Sequence, residues 1–143
     1  MSRRRMSASE KEDIERRIAR ATALDERDNR VENSILAELK QHECWPDHVE
    51  YSHVFIGLQD ERFFEGYDGR CSFFVVLQTK AQRLAFENST CRGELETAFL
   101  HRIKSETEMR LHPSQPPYQY DSMEEIREHY PDGLKGRLDN LIV

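Results

Sequence analysis

Apolar residues along this chain change their spacing from one stretch to the next, and the changes outline a fold. From Ser9 to about Gln41 they fall at Ile14, Ile18, Ala21 and Leu24, lapse through the polar run "DERDNR", and resume at Val31, Ile35, Leu36 and Leu39. The stretch holds no Gly or Pro, and acids precede bases by four residues in Glu12–Arg16, Asp13–Arg17 and Glu26–Arg30. Helix propensity and these pairs predict one long helix, with Ser9 and Glu12 at capping-box spacing. It would run about 50 Å at 1.5 Å per residue, beyond the roughly 40 Å diameter of a compact chain of this size. It is therefore expected either to break at Asp28 or Asn29 or to overhang the body, where Ile14, Ile18 and Ala21 would meet a second copy. The stripe fails before the three or four heptads of a coiled coil, so a small interface is expected.

Period two follows. "VEYSHVFIGL" sets His53 and Phe55 against Val54, Ile56 and Leu58, and "CSFFVVLQT" sets Phe73, Val75 and Leu77 against Phe74 and Val76. Both are predicted strands, with Trp45-Pro46 closing the helix before them. Asp68-Gly69 has type I′ turn chemistry, which predicts a long hairpin in which Phe64 faces Phe73 and Phe63 faces Phe74.

"KAQRLAFENST" fits either a short helix or a third strand. "ELETAFLHRIKSETEMRL" is helical, with Leu95, Phe99 and Ile103 on one stripe reinforced by Ala98 and Leu100, and His112-Pro113 stops it. Residues 112–120, "HPSQPPYQY", read as an extended connector. Ser122 and Glu125 form a second capping box, opening a short helix with Met123, Ile126 and Tyr130. Leu134, Leu138, Leu141 and Val143 predict a tail that docks. The expected fold class is α+β: a long N-terminal helix, an antiparallel β-hairpin or small three-stranded sheet, a second packed helix and a short C-terminal helical appendage. It forms one domain over residues 9–143 behind a flexible basic segment, 1–8.

At 143 residues the chain is long enough to bury a core without staples, and seven Phe, five Tyr and one Trp are too many for a disordered chain although 34% of residues are charged. The net charge of −6 is uneven: residues 1–20 carry +3 and the remainder −9. An acidic body repels nucleic acid and favours a basic protein partner. The arginines at 3–5 read as a solvated start. No apolar run approaches bilayer length and no apolar segment follows the basic start, so a cytoplasmic protein, neither membrane-spanning nor exported, is expected.

Chemistry-bearing motifs are sparse. Cys44, Cys71 and Cys91 are odd in number, widely spaced and without a CxxC pair, which predicts reduced, inert thiols. His42, Cys44 and His48, with Asp47 nearby, offer imidazole and thiolate ligands, but H-x-C-x3-H lacks the second ligand pair of a structural zinc site, and no metal is assigned. Phosphate-binding glycine loops and a G-x-S-x-G elbow are absent. No cofactor and no catalytic residue are expected. The function expected is therefore binding: an acidic inhibitor of the immunity-protein or antitoxin kind, neutralising a basic partner such as a nucleic-acid-cleaving toxin. Its contact surface would be the hairpin tip, with Phe63, Phe64 and Tyr67 as apolar anchors and Asp60, Glu61, Glu65 and Asp68 as an acidic rim. The alternatives are a homodimeric structural or adaptor protein assembled through Ile14, Ile18 and Ala21, and a small metal-dependent enzyme using His42, Cys44 and His48.

Overall fold

The structure, a computed structural model, describes residues 7–57, 70–107 and 118–140. The first helix, α1, is continuous over Ala8–Lys40, 33 residues with no break at Asp28 or Asn29. Its N-cap is Ser7, whose extended backbone ends just before the helix and whose Oγ accepts the Glu10 N–H at 3.2 Å. The cap thus lies two residues ahead of the expected Ser9, which is already helical.

Two strands follow, β1 over Val49–Gly57 and β2 over Arg70–Leu77. They pair antiparallel as anticipated, but in another register: Phe73 lies opposite Val54, Phe74 opposite His53, and Arg70 opposite Gly57. Phe73 and Phe74 therefore do not have the partners expected of them, Phe64 and Phe63, which themselves lie outside the described residues. The alternation in the two strands was sound, but period two fixes which face a side chain takes, not which residue it meets.

The ambiguous stretch after β2 is a helix, α2, over Lys80–Glu87. A complete capping box starts it: Thr79 Oγ1 accepts from the Gln82 N–H at 3.2 Å, and Gln82 Oε1 accepts from the Thr79 N–H at 2.9 Å. Helix α3 spans Thr90–Thr107 and buries Leu95, Phe99 and Ile103 completely, the stripe predicted for it. The end of the supposed connector is instead a strand, β3, over Tyr118–Ser122, lying parallel to β2. Helices α4, Met123–His129, and α5, Leu134–Asp139, complete the described chain. Ser122 caps α4 as expected, accepting the Glu125 N–H at 3.1 Å. The molecule is α+β, with a three-stranded mixed sheet in the order β1-β2-β3.

The middle strand explains the packing. Every residue from Cys71 to Leu77 is buried, because helices cover both faces of β2. On one face Phe73, Val75 and Leu77 meet Val54 and Ile56 of β1, Ile35 and Leu39 of α1, and Leu95, Phe99 and Ile103 of α3. The Phe73 ring stacks on Phe99 at 5.4 Å and meets the Tyr120 ring edge-on at 6.4 Å. On the other face Phe74 and Val76 pack with Ile126, Met123, Tyr130, Leu134 and Leu138, so the C-terminal helices do dock. Glu32 of α1 accepts the Ile56 N–H at 2.7 Å, fastening the long helix to the outer side of β1.

One expectation about the cysteines fails. Cys44, in the turn after α1, and Cys91, in the first turn of α3, form a disulfide, their Cα atoms 4.9 Å apart across 47 residues of sequence. Spacing along the chain gave no sign of this, because both helix ends come together only when α1 and α3 pack over the same face of the sheet. Cys71 alone remains a free thiol, fully buried, and burial pushes its pKa up to about 12.

Candidate functional site

The long helix carries its apolar stripe beyond the body. Its second half is held by Val31, Ile35, Leu36 and Leu39 in the core and by an ion pair from Arg102 Nε of α3 to Glu38 Oε2 at 2.6 Å. In the first half, Ile14 is 41% and Ile18 60% exposed, which makes them the helix's exposed large apolar residues among those described. Ile14 and Leu39 are 25 residues apart, so at about 100° per residue they lie within roughly 20° of one another around the helix. The face that packs on the sheet thus recurs, exposed, at Ile14 and Ile18. Of the residues assigned to a dimer interface, Ile14 and Ile18 share this face, and the side chain of Ala21 lies outside those described.

The charges along the overhang are segregated. Glu10, Glu12, Asp13 and Glu15 occupy its first part, interrupted by Lys11, and Arg16, Arg17 and Arg20 its second. Within the helix Asp13 pairs with Arg17 at 3.0 Å, both side chains at least half exposed. Such a pair is worth a few tenths of a kcal/mol and supports a solvated helix without anchoring it.

The hairpin-tip residues Asp60, Glu61, Phe63, Phe64, Glu65, Tyr67 and Asp68 lie outside the described residues. His42, Cys44 and His48 do not assemble as ligands. The His42 Nδ1 accepts the Cys44 backbone N–H at 3.0 Å, and the Cys44 sulfur is bonded to Cys91. Among the described residues no group of three His, Cys, Asp or Glu side chains converges to hold a metal ion.

A cleft of about 390 Å³ that sequence reading missed opens beside β3, α4 and α5, lined by Arg83, Asp121, Glu125, His129 and Arg137 among others. Its charges are committed to one another. Arg83 grips Glu125 with two nitrogens, at 2.7 and 2.8 Å, and reaches Glu87 as well. Arg137 Nε donates to Asp121 Oδ2 at 2.6 Å, while its guanidinium lies 4.9 Å from the centre of the Phe74 ring. The Arg83 hydrogen bonds, with a further one from Ser122, hold the Glu125 carboxyl below its usual range against the opposing effect of burial. These brackets join α2 to α4 and α5 to β3, so the cleft is a fastening built from matched charges rather than a surplus of one sign awaiting a ligand. Its signal in the sequence was no more than an arginine and an acid 42 positions apart.

No family model, curated protein or solved structure matches this chain. None of the described helices is long and apolar enough to cross a membrane.

Proposed function

We propose that this chain is a non-catalytic, self-assembling adaptor in which two copies pair through the overhanging first halves of α1. The observation that carries this reading is the exposed Ile14–Ile18 face on a helix whose second half is firmly packed. The occupant is a second copy because of the order of charges. Laid antiparallel, the acidic stretch 10–15 of one helix faces the basic stretch 16–20 of its partner, and Ile14 of one copy meets Ile18 of the other. A two-fold contact of this kind is self-complementary, residue against residue. A contact confined to the first turns of two helices is small beside a standard interface of roughly 1,200 Å², so the dimer should be weak and sensitive to salt.

Sedimentation equilibrium tests it. The wild-type chain should dimerise in low salt, and changing Ile14→Glu together with Ile18→Glu should leave only monomer with unchanged thermal stability. Changing Arg16, Arg17 and Arg20 to Glu should also give monomer, and mixing that variant with one carrying Lys at 12, 13 and 15 should restore pairing. A monomer at millimolar wild-type concentration overturns the proposal.

The charge of −9 over residues 21–143 favours a second reading, in which the acidic body captures and neutralises a basic protein. Charge reversal at Glu61 and Glu65 should then weaken binding to a basic protein probe such as a bacterial nuclease toxin, without lowering stability. Equal capture by the wild-type and reversed chains removes the 60–68 segment as the contact surface.

A further inference from the structure

We infer that Cys44 and Cys91 form a reversible thiol–disulfide switch for low-molecular-weight thiols and disulfides of the glutathione class, with Cys91 as the attacking sulfur. The pair is asymmetric in three ways that bear on exchange. Cys44 is buried at 7% exposure, whereas Cys91 is only partly buried at the margin of the same core. Cys91 is the second residue of the 18-residue helix α3, where the unpaired N–H groups of the first turn favour a thiolate. On the other side, Glu94 Oε2 lies 2.9 Å from the Cys44 sulfur.

That last contact links the redox state to a hydrogen bond. A carboxylate only accepts, and a disulfide sulfur has no proton to give, so in the closed form the contact yields nothing. When the bond opens, the Cys44 S–H donates to Glu94. The reduced form is thereby stabilised, and a disulfide whose reduced form is stabilised is readily opened. Cys71, sealed in the core, takes no part.

Closure proceeds by two exchanges. The Cys91 thiolate attacks one sulfur of a small disulfide RSSR, breaking its S–S bond and expelling RS⁻ to leave a Cys91–S–S–R mixed disulfide. Cys44 then gives up its proton, which Glu94 is placed to take, and attacks the Cys91 sulfur, expelling the second RS⁻. Two protein thiols lose two electrons, RSSR gains them, and the two protons end on two molecules of RSH. Opening is the reverse, with two equivalents of RSH as reductant. The bond ties the turn after α1 to the first turn of α3, so the switch acts at the base of the overhanging helix.

The test equilibrates the full chain in buffers of varied reduced-to-oxidised glutathione ratio, quenches with acid, alkylates and weighs the products. The expected result is one disulfide that opens and closes while the chain stays folded, with Cys71 unlabelled until denaturant is added. Glu94→Gln should shift the exchange constant about tenfold toward the disulfide. The Cys44→Ser chain should form a mixed disulfide at Cys91 at least tenfold faster than the Cys91→Ser chain does at Cys44. A bond that persists in excess reduced glutathione until the chain unfolds overturns the switch, as do thiols that stay reduced in excess oxidised glutathione. Equal rates in the two serine variants overturn the role of Cys91, and an unshifted constant in Glu94→Gln overturns that of Glu94.

Discussion

The two halves of α1 are one helix made from the same kind of sequence, yet one is a wall of the core and the other is a rod in water. Ile35 and Leu39 are fully or almost fully buried, whereas Ile14 and Ile18, one stripe further along, are exposed. The apolar period does not distinguish them. What distinguishes them is reach: β1 and α3 give α1 something to pack on only from about Val31 onward. An amphipathic stripe therefore reports the capacity to be buried, and the rest of the fold decides how much of that capacity is used.

The comparison can be pressed by mutation. The largest effect is expected at the packed end, where Leu39→Ala should lower unfolding free energy by about 2–5 kcal/mol, as deletion of a buried leucine leaves a cavity. Ile18→Ala should change it by less than about 0.5 kcal/mol. Urea titrations of both variants check the contrast, and similar costs would mean that the overhang is covered in solution.

Next in size is the bracket that holds α4. Glu125→Gln should cost about 2 kcal/mol, because it discharges a largely buried partner of Arg83. Its pH dependence has a definite sign. Arg83 holds the Glu125 carboxyl below its ordinary range, so the folded chain takes up that proton at lower pH than the unfolded chain does. The stabilisation is present above the unfolded carboxyl pKa of about 4.3 and is lost as acid carries the pH down through the lowered folded value. Thermal melts from pH 7 to pH 3 should show a shallower acid decline in Glu125→Gln than in the wild type.

Two serine caps give the smallest and most discriminating effects. Ser122→Ala should lower global stability by about 1 kcal/mol, since α4 is part of the packed body. Ser7→Ala removes a cap of the same kind, but from a helix end that packs on nothing described. It should leave the denaturation midpoint unchanged and lower only the far-ultraviolet helical signal, by fraying the first turn. A shifted midpoint in Ser7→Ala would place the overhang inside the cooperative unit.

Legibility in the sequence followed the range of the interaction. The stripe Leu95–Phe99–Ile103, the Ser122 cap and the alternation in both strands are local patterns, and each was readable. The Thr79–Gln82 box has the local T-x-x-Q spacing, which favours the helical alternative for the stretch that follows it. The register of β1 on β2 was not readable, because two-residue turn chemistry at Asp68-Gly69 outweighed any signal for where β1 ends. Tyr118 and Tyr120 do alternate, but a five-residue strand behind three prolines carries too little pattern to separate from a connector. The Cys44–Cys91 bond and the Arg83–Glu125 bracket join residues more than forty positions apart, and only the packed fold brings them together.

Glu32 has a further consequence. A strand at the border of a sheet offers its spare N–H groups as a template on which other chains can add, and among the described strands β1 is such a border. The Glu32 carboxylate occupies one of those donors, at Ile56, and holds α1 along that side. The helix therefore blocks one position at which an added strand would have to bond. Destabilising its seat, more than altering its exposed overhang, would uncover that edge.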